Sequence, residues 1–547
     1  MKKILLLSLI CSFILQESSA QCSESDEIKV LLIGDSWAFF MGVDGTINNV
    51  FEQWGHSNKT YTTTIEVAVN GARTTDFLEA GMQTEIQDLV NSNPSIEVVH
   101  LSIGGNDMLG EWDVTFTSTE LDSLIDLVYG QALDVVTFIK STKPGIKIVF
   151  SGYVYPNFEE VIESAAPLQS SHPFYGTWSG MGFPSFFEIN TILNDFSLLI
   201  EAYADTDPQV EFFKATGLMQ YTFGQTSPLG VAPGGAYPPF TQPQPFGDPS
   251  YPSPKNSMRD YFGITKDCFH LSPKGYRDLI GFHTQKFYHK FLMDDQYLLT
   301  TPANNGNVSS LGNYYGDLLL GLSAGENFGT LLNFQTQDMN WDGVDKAEIF
   351  LNIENISGTN PLDQVLEISI KAGNIGTSVA PESADWNAAV DLKGTPCVFG
   401  KKDGPGDWIR IELPTSFLPL LKNQSNTQFL IKAIGTSEGV VTFTGAQDEE
   451  FAPVLNFKYD ENYVGIREVN SAFALELYPN PGNQLVHISS AAKAIDAIQL
   501  FDILGKLCLY LPHSASNLYD FSSLDAGFYK IVVLAKDQKE VKSFVKN

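Results

Sequence analysis

Apolar positions in the first half of the chain fall into short runs that alternate with stretches of helical spacing. Ile28–Ile33 is a short apolar run of the kind that forms a buried parallel strand. It breaks at Gly34-Asp35-Ser36, and a helical pattern follows from about Val43 to Trp54. Thr63–Val69 alternates like a strand and runs into Asn70-Gly71, with a helical stretch over roughly Thr75–Val90. Glu97–Ile103 predicts a further strand ending in Gly104-Gly105-Asn106-Asp107, Leu121–Ile139 a helix, and Ile146–Val154 another strand. Phe187–Tyr203 has helical spacing, Val210–Phe213 fits a last strand, and Pro273–Phe291 a closing helix. This alternation predicts an α/β domain over residues 21–295, a parallel sheet between two helical layers (α/β/α).

The pattern changes twice further on. Residues 296–325, polar and rich in Asn, Gly and Ser, read as a linker. Over 326–460 short alternating runs such as Ala347–Ile353, Trp408–Leu413 and Val440–Thr444 predict a β-sandwich. Residues 465–547 predict a second, smaller all-β sandwich with glycines at tight turns. Within the α/β domain, Ser227–Pro254 is a long loop rich in Pro, Gly and aromatics. Long loops of this kind are usually functional or disordered, and this one is expected to border the site because it precedes Asp267 and His270.

Composition narrows the function. The chain has 547 residues, 43% hydrophobic and 18% charged, with a formal net charge of −31. That balance is ordinary for globular protein, and its sign disfavours nucleic acid and anionic lipid as partners. Lys2 and Lys3, the apolar run Ile4–Leu15 and Ser18-Ser19-Ala20 predict a signal peptide over 1–20. No later stretch reads as transmembrane, so an exported, soluble chain is expected. Cys22, Cys268, Cys397 and Cys508 are scattered, which is neither a disulfide framework nor a CxxC metal pattern. Their pairing is left open. No HExxH or similar ligand spacing occurs, so no metal and no cofactor are expected.

Four stretches carry the candidate chemistry: GDSWA around Ser36, VNGARTTD around Gly71, LSIGGNDML around Asn106, and DCFHLSPKGY with Asp267 and His270. A serine at a strand-to-helix turn lies at the carboxyl edge of a sheet, where open α/β sheets keep their sites. In this order the four stretches resemble the conserved blocks of the SGNH (GDSL) hydrolase family, over residues 27–295. The resemblance implies Ser36 as nucleophile, His270 as base and Asp267 as the group that orients it. It also implies an oxyanion hole made by the Ser36 and Gly71 N–H groups and the Asn106 side-chain amide. Trp37 departs from the Leu or Ile common after the serine, which affects the pocket rim rather than the mechanism. Cys268 is expected to be a packed bystander, and Asp35 and Asp107 to bind loop amides. Gly321-Leu322-Ser323-Ala324-Gly325 fits the GxSxG elbow, yet only His487 and His513 follow it, so Ser323 reads as structural.

The end of the 326–460 unit, VTFTGAQDEEFAPVLNFKY, is similar to DNRLRE-type sandwich modules, some of which resemble carbohydrate-binding modules. LYPNPGNQLVHIS, IQLFDILGKLCL and SSLDAGFYKIVV, with Pro479-Asn480-Pro481, Gly505 and Gly527-Phe528-Tyr529, resemble a type A C-terminal sorting domain of the type IX secretion system. That implies the type IX machinery as a partner and a secreted or cell-surface destination. The function expected is a secreted serine esterase acting on a carboxylic ester. The alternatives are a carbohydrate esterase that deacetylates a glycan and, in another class, a non-catalytic surface binding protein.

Overall fold

The computed structural model describes residues 22–547 apart from 245, 301–303, 338, 423–424, 449, 461–474, 483, 491–494, 503–505 and 536–537. The signal peptide expected over 1–20, and Gly505, lie outside the described residues.

The α/β unit is built on five parallel strands: β1 (Glu27–Gly34), β2 (Lys59–Thr62), β3 (Val98–Ser102), β4 (Lys147–Phe150) and β5 (Val210–Phe212). Their order is β2-β1-β3-β4-β5, so the chain changes direction across the sheet between β1 and β3. Period-2 alternation sorts the side chains of β1 between two cores. Leu31 and Ile33 pack with Ile86, Val90, Val135 and Ile200 on one face, and Val30 and Leu32 with Met41, Phe51 and Leu279 on the other. The first face is covered by α3 (Ala80–Ser92), α5 (Ser118–Thr142) and α8 (Phe186–Ala204). The second is covered by α1 (Ser36–Val43), α2 (Thr46–Gln53) and α10 (Pro273–His283). Shorter helices of the unit include α4 (Gly105–Glu111), α6 (Phe158–Glu163), α7 (Tyr175–Gly180) and α9 (Leu218–Phe223). A separate antiparallel hairpin, β6 (Met258–Tyr261) and β7 (Thr265–Leu271), carries the DCFH stretch.

Four expectations about elements need correction. The helix after β1 starts at Ser36, not near Val43, because Asp35 caps it, and it is split from α2 by left-handed Gly45. Thr63–Val69 is not a strand: the Ala68 N–H bonds back to Thr64, which turns the chain and leaves Ile65 74% exposed. Thr75–Val90 is two helices, because Glu79 adopts an extended conformation between Thr74–Leu78 and α3. Residues 296–325 are not a linker. Gln296–Leu299, Gly306–Ser309, Tyr314–Tyr315 and Leu318–Ser323 are strands of the sandwich. Two buried asparagines of this stretch find partners: the Asn307 amide donates to the Asp317 carbonyl, and Asn305 accepts from the Asn333 N–H.

In the sandwich, the 15-residue strand Val344–Gly358 passes from one sheet to the other across a bulge between Ile353 and Asn355. Both sheets close on Leu320, Leu332, Ile349, Leu351, Ile368, Ile411, Phe429 and Phe457. In the tail, sheets of three and four strands pack around Val486, Ile488, Ile498, Tyr519, Ile531 and Phe544. Asn480 of the PNP turn holds the last strand, donating to the Ser543 carbonyl and accepting from the Val545 N–H.

The sandwich is fastened to the α/β unit at the edge where β1 and β2 begin. Cys22 is disulfide-bonded to Cys397. Buried Arg410 donates from Nε to the Gly55 carbonyl at 2.9 Å and pairs with Glu24 and Glu348. Trp54 stacks on Trp408 with ring centroids 5.7 Å apart. At this seam His56 and His289 share a buried hydrogen bond of 3.0 Å. Deeper in the α/β unit, His100 bonds the Tyr288 hydroxyl, and neither ring nitrogen of His283 has a hydrogen-bond partner among the described residues. Burial drives all four imidazoles toward the neutral form, His283 and His289 down to about 3.

These histidines set a pH dependence. Below the unfolded value of 6.5 the unfolded chain takes up protons that the folded chain refuses. Each histidine then removes up to about 1.4 kcal/mol of stability per pH unit until its folded value is reached. Asp35 and Asp385, both pushed up to about 6 by burial, work in the opposite sense between 3.8 and 6, but they are two groups against these four. Urea midpoints should therefore fall steadily from pH 7 to pH 5. His283→Phe, which replaces an unpartnered imidazole by a ring of similar shape, should flatten the slope. A midpoint that rises on acidification would contradict this.

Candidate active site

The site lies at the opposite edge of the sheet, where β1, β3 and β4 end. Gly34 closes β1 because a Cβ there would meet the Ser102 carbonyl oxygen at 2.2 Å, so only glycine lets β1 and β3 finish side by side. Asp35 then caps α1, its Oδ1 accepting from the Trp37 N–H at 2.9 Å. Ser36 is the first residue of that helix, so its N–H has no intrahelical partner and belongs to the positive end of the helix dipole.

The DxxH stretch on β7 meets this serine. His270 Nε2 lies 2.7 Å from Ser36 Oγ, and His270 Nδ1 lies 2.8 Å from Asp267 Oδ2. Asp267 Oδ1 accepts from the Phe269 and His270 N–H groups, both at 2.9 Å, which fixes the carboxylate before it meets the ring. All three side chains are buried. Phe40 and Phe269 flank the imidazole, with centroids 4.8 and 4.3 Å away.

Asn106, on the first turn of α4, lines a cleft with Ser36, Gly105, Trp37, Leu109, Tyr153, Val154, Pro156, Leu193 and Phe269. The cleft is small, with room of about 20 Å³. One N–H of the Asn106 amide donates to the Ala72 carbonyl at 2.9 Å, and the amide has a second. Gly71 precedes Ala72 on that loop, exposed, at φ 78° with open space beyond its Cα. It lines the neighbouring groove with Val69, Asn70 and Asp76 rather than the cleft itself. The structure thus joins Ser36, His270 and Asp267 in one chain of bonds and sets Asn106 beside them. Gly71 enters only through the loop that Asn106 holds.

Asp107 accepts from the Thr74 N–H and hydroxyl, so both acidic neighbours bind loop donors as expected. Asp35 does more than cap. Its Oδ2 accepts from the Tyr153 hydroxyl, which itself accepts from the Gly105 N–H at 3.0 Å. Burial pushes the Asp35 carboxyl up to about 6 and Tyr153 well above the usual phenol range, so Tyr153 remains a donor. Tyr153 therefore ties the serine turn to the start of α4. Its residue type gave no signal; only its place just past β4, at the carboxyl edge, could have pointed to it.

Cys268 is fully buried and burial raises its thiol far above the ordinary range, which disfavours the thiolate and fits a packed side chain. Ser323 ends a strand and pairs with Glu326 across a hairpin turn at Ala324-Gly325, so it sits on no elbow. The loop 227–254 does not line the cleft. It packs on α8 and α9, where the amides of Asn190 and Gln220 donate to its Tyr251 carbonyl, because its backbone supplies the acceptors those buried amides need.

Residues 476–547 match the family description "Secretion system C-terminal sorting domain". The tail therefore directs export through the type IX system, to the cell surface or the medium. Among the described residues no helix is long and apolar enough to cross a membrane. No curated protein matches the chain. Among solved structures it is similar to a GDSL-like lipase from Bacteroides thetaiotaomicron, with 14% identity over 47% of this chain and 86% of that one and a TM-score of 0.25. It is also similar to an acetyl xylan esterase, at 15% identity, 46% and 96% coverage and TM-score 0.26. A third is the periplasmic domain of a Salmonella ser. Paratyphi A lipopolysaccharide acetyltransferase, at 14%, 49% and 85%, and 0.26.

Proposed function

We propose that this chain is an exported serine ester hydrolase of the SGNH/GDSL type. The observation that carries the reading is the continuous Ser36–His270–Asp267 chain, with links of 2.7 and 2.8 Å. Both fall within the hydrogen-bond reach that a nucleophile and its base require. Asp267 accepts Nδ1–H, which leaves Nε2 free to take the Ser36 proton. The Oγ then attacks the acyl carbon, and the oxyanion is met by the Ser36 N–H and the Asn106 amide, which the loop after Gly71 holds through the Ala72 carbonyl. His270 returns its proton to the leaving alcohol. Water, deprotonated by the same imidazole, attacks the acyl-enzyme and frees Ser36. Asn106→Ala should lower kcat by roughly 10²–10³, the scale for one oxyanion donor, with KM little changed. A change confined to KM would make Asn106 a substrate-binding residue instead.

The size and the Leu109, Leu193, Val154 and Phe269 walls of the cleft favour short acyl groups, acetyl to butyryl. The test is turnover of p-nitrophenyl esters from acetate to palmitate. Activity that peaks at palmitate would remove the short-acyl reading, and absence of turnover on every ester would favour a non-catalytic binding protein.

One observation favours a carbohydrate ester as second reading. The β6–β7 turn carries Phe262, 84% exposed, next to Tyr261, and both flank a groove along the strand that bears His270. Flat aromatic faces of this kind stack on sugar rings. Acetylated xylan belongs in the substrate panel for that reason. The sandwich adds nothing to this reading, since it is fastened to the edge away from Ser36.

A further inference from the structure

The base and its orienting carboxylate stand on β7, in a two-stranded hairpin outside the five-stranded sheet that positions Ser36. Something must hold that hairpin in register with α1, because a displacement of about 1 Å at a catalytic group can cost ~10²-fold in rate. We propose that Arg259, locked by Asp44, positions the His270 imidazole through the ring of Phe40. This rests on the esterase reading of Ser36 and His270.

Four observations carry it. Arg259 is on β6, the hairpin partner of β7, and Asp44 is the C-cap of α1, the helix that Ser36 begins. The guanidinium grips Asp44 with both arms, Nη1 to Oδ2 at 2.8 Å and Nη2 to Oδ1 at 2.9 Å. This bidentate pair is largely buried, 18% and 13% exposed, so it is better protected from solvent and salt than a surface pair. The same guanidinium lies over the Phe40 ring, 4.2 Å from its centroid. Phe40 lies one helical turn beyond Ser36 on the same face, and its ring packs edge-on to the His270 imidazole at 4.8 Å.

Phe269 bounds the imidazole from within β7 itself, backed by Phe158 and Phe174 at 5.9 and 4.9 Å. Those contacts keep the ring from swinging within the hairpin. They do not fix the hairpin against α1, and the Arg259–Asp44 pair does. Asp44 also neutralises the guanidinium, so the ring is pressed into place without a bare cation beside a base that must become positive. Lysine could not replace Arg259, since it lacks the planar fork.

The test is steady-state kinetics of Arg259→Ala, Phe40→Leu and the double variant on p-nitrophenyl acetate, per active site titrated with a serine-directed phosphonate. Each single variant should lose about tenfold to 10²-fold in kcat, with KM within about twofold. The double variant should lose no more than the worse single, because both act through one ring. Asp44→Asn, nearly isosteric and milder on folding, should lower kcat about threefold and add nothing in the Phe40→Leu background. Wild-type kcat per titrated site in the single variants overturns the proposal, and so do losses that multiply. Ser36→Ala is the control. If it still turns over ester, the esterase reading falls and takes this proposal with it. If it is inactive while Arg259→Ala is normal per site, only the positioning role falls.

Discussion

Ser36→Ala should abolish ester turnover, with a loss on the order of 10⁶ in kcat, while the fold and melting behaviour stay as they are. The size follows from how a triad works. Among the described residues that line the cleft, Ser36 carries the hydroxyl bonded to the imidazole, and members of such a unit fail together, so one deletion costs nearly what all three cost. The fold survives because the substitution removes a single oxygen. Asp35, not Ser36, caps α1, and the Ser36 side chain bonds His270 and is not needed to pair any backbone group. His270→Ala should match it in rate. Circular dichroism and a p-nitrophenyl acetate assay on the same preparation check both halves. A folded variant with wild-type turnover would place the chemistry elsewhere.

Asp267→Asn should lower kcat by up to ~10⁴ while KM changes little. Asparagine keeps the bonds to the Phe269 and His270 N–H groups on Oδ1. The group facing Nδ1 can then become an NH₂ donor, which calls for an acceptor at Nδ1 and puts the ring proton on Nε2, where the serine proton must go. The loss is thus one of tautomer, not of geometry. Asp267→Ala should additionally free those two N–H groups and lower the melting temperature. If Asn and Ala variants are equally stable and both active, Asp267 serves the turn and not the base.

Much of this was legible in the sequence because each block pairs a chemical group with a local backbone signal. GDS follows an apolar run, GGND follows another, and DxxH brings two partners together within one strand. The sheet, its two cores and the closing helix follow from periodicity for the same local reason. What escaped depends on contacts between distant residues. Arg259 meets Asp44 across the hairpin, Tyr153 meets Asp35 across the sheet, and neither residue type stands out where it occurs. The strands in 296–325 were read as linker because their Asn and Ser side chains look solvated. In the fold Asn307 is buried and bonds the Asp317 carbonyl, which no pattern of hydrophobicity can reveal. The alternation of Thr63–Val69 misled in the other direction, since the chain turns there against its strand propensity and meets β1 only through the bridge of Ala68 to Gly34.

The central claim is that Ser36 carries the acyl group. A serine-directed fluorophosphonate, followed by peptide mass spectrometry, tests it most directly. One adduct per chain is expected, on the peptide that contains Ser36, with esterase activity falling in proportion to labelling and neither event occurring in Ser36→Ala. An adduct on Ser323 or any other serine, or full inactivation with Ser36 unmodified, would contradict the account.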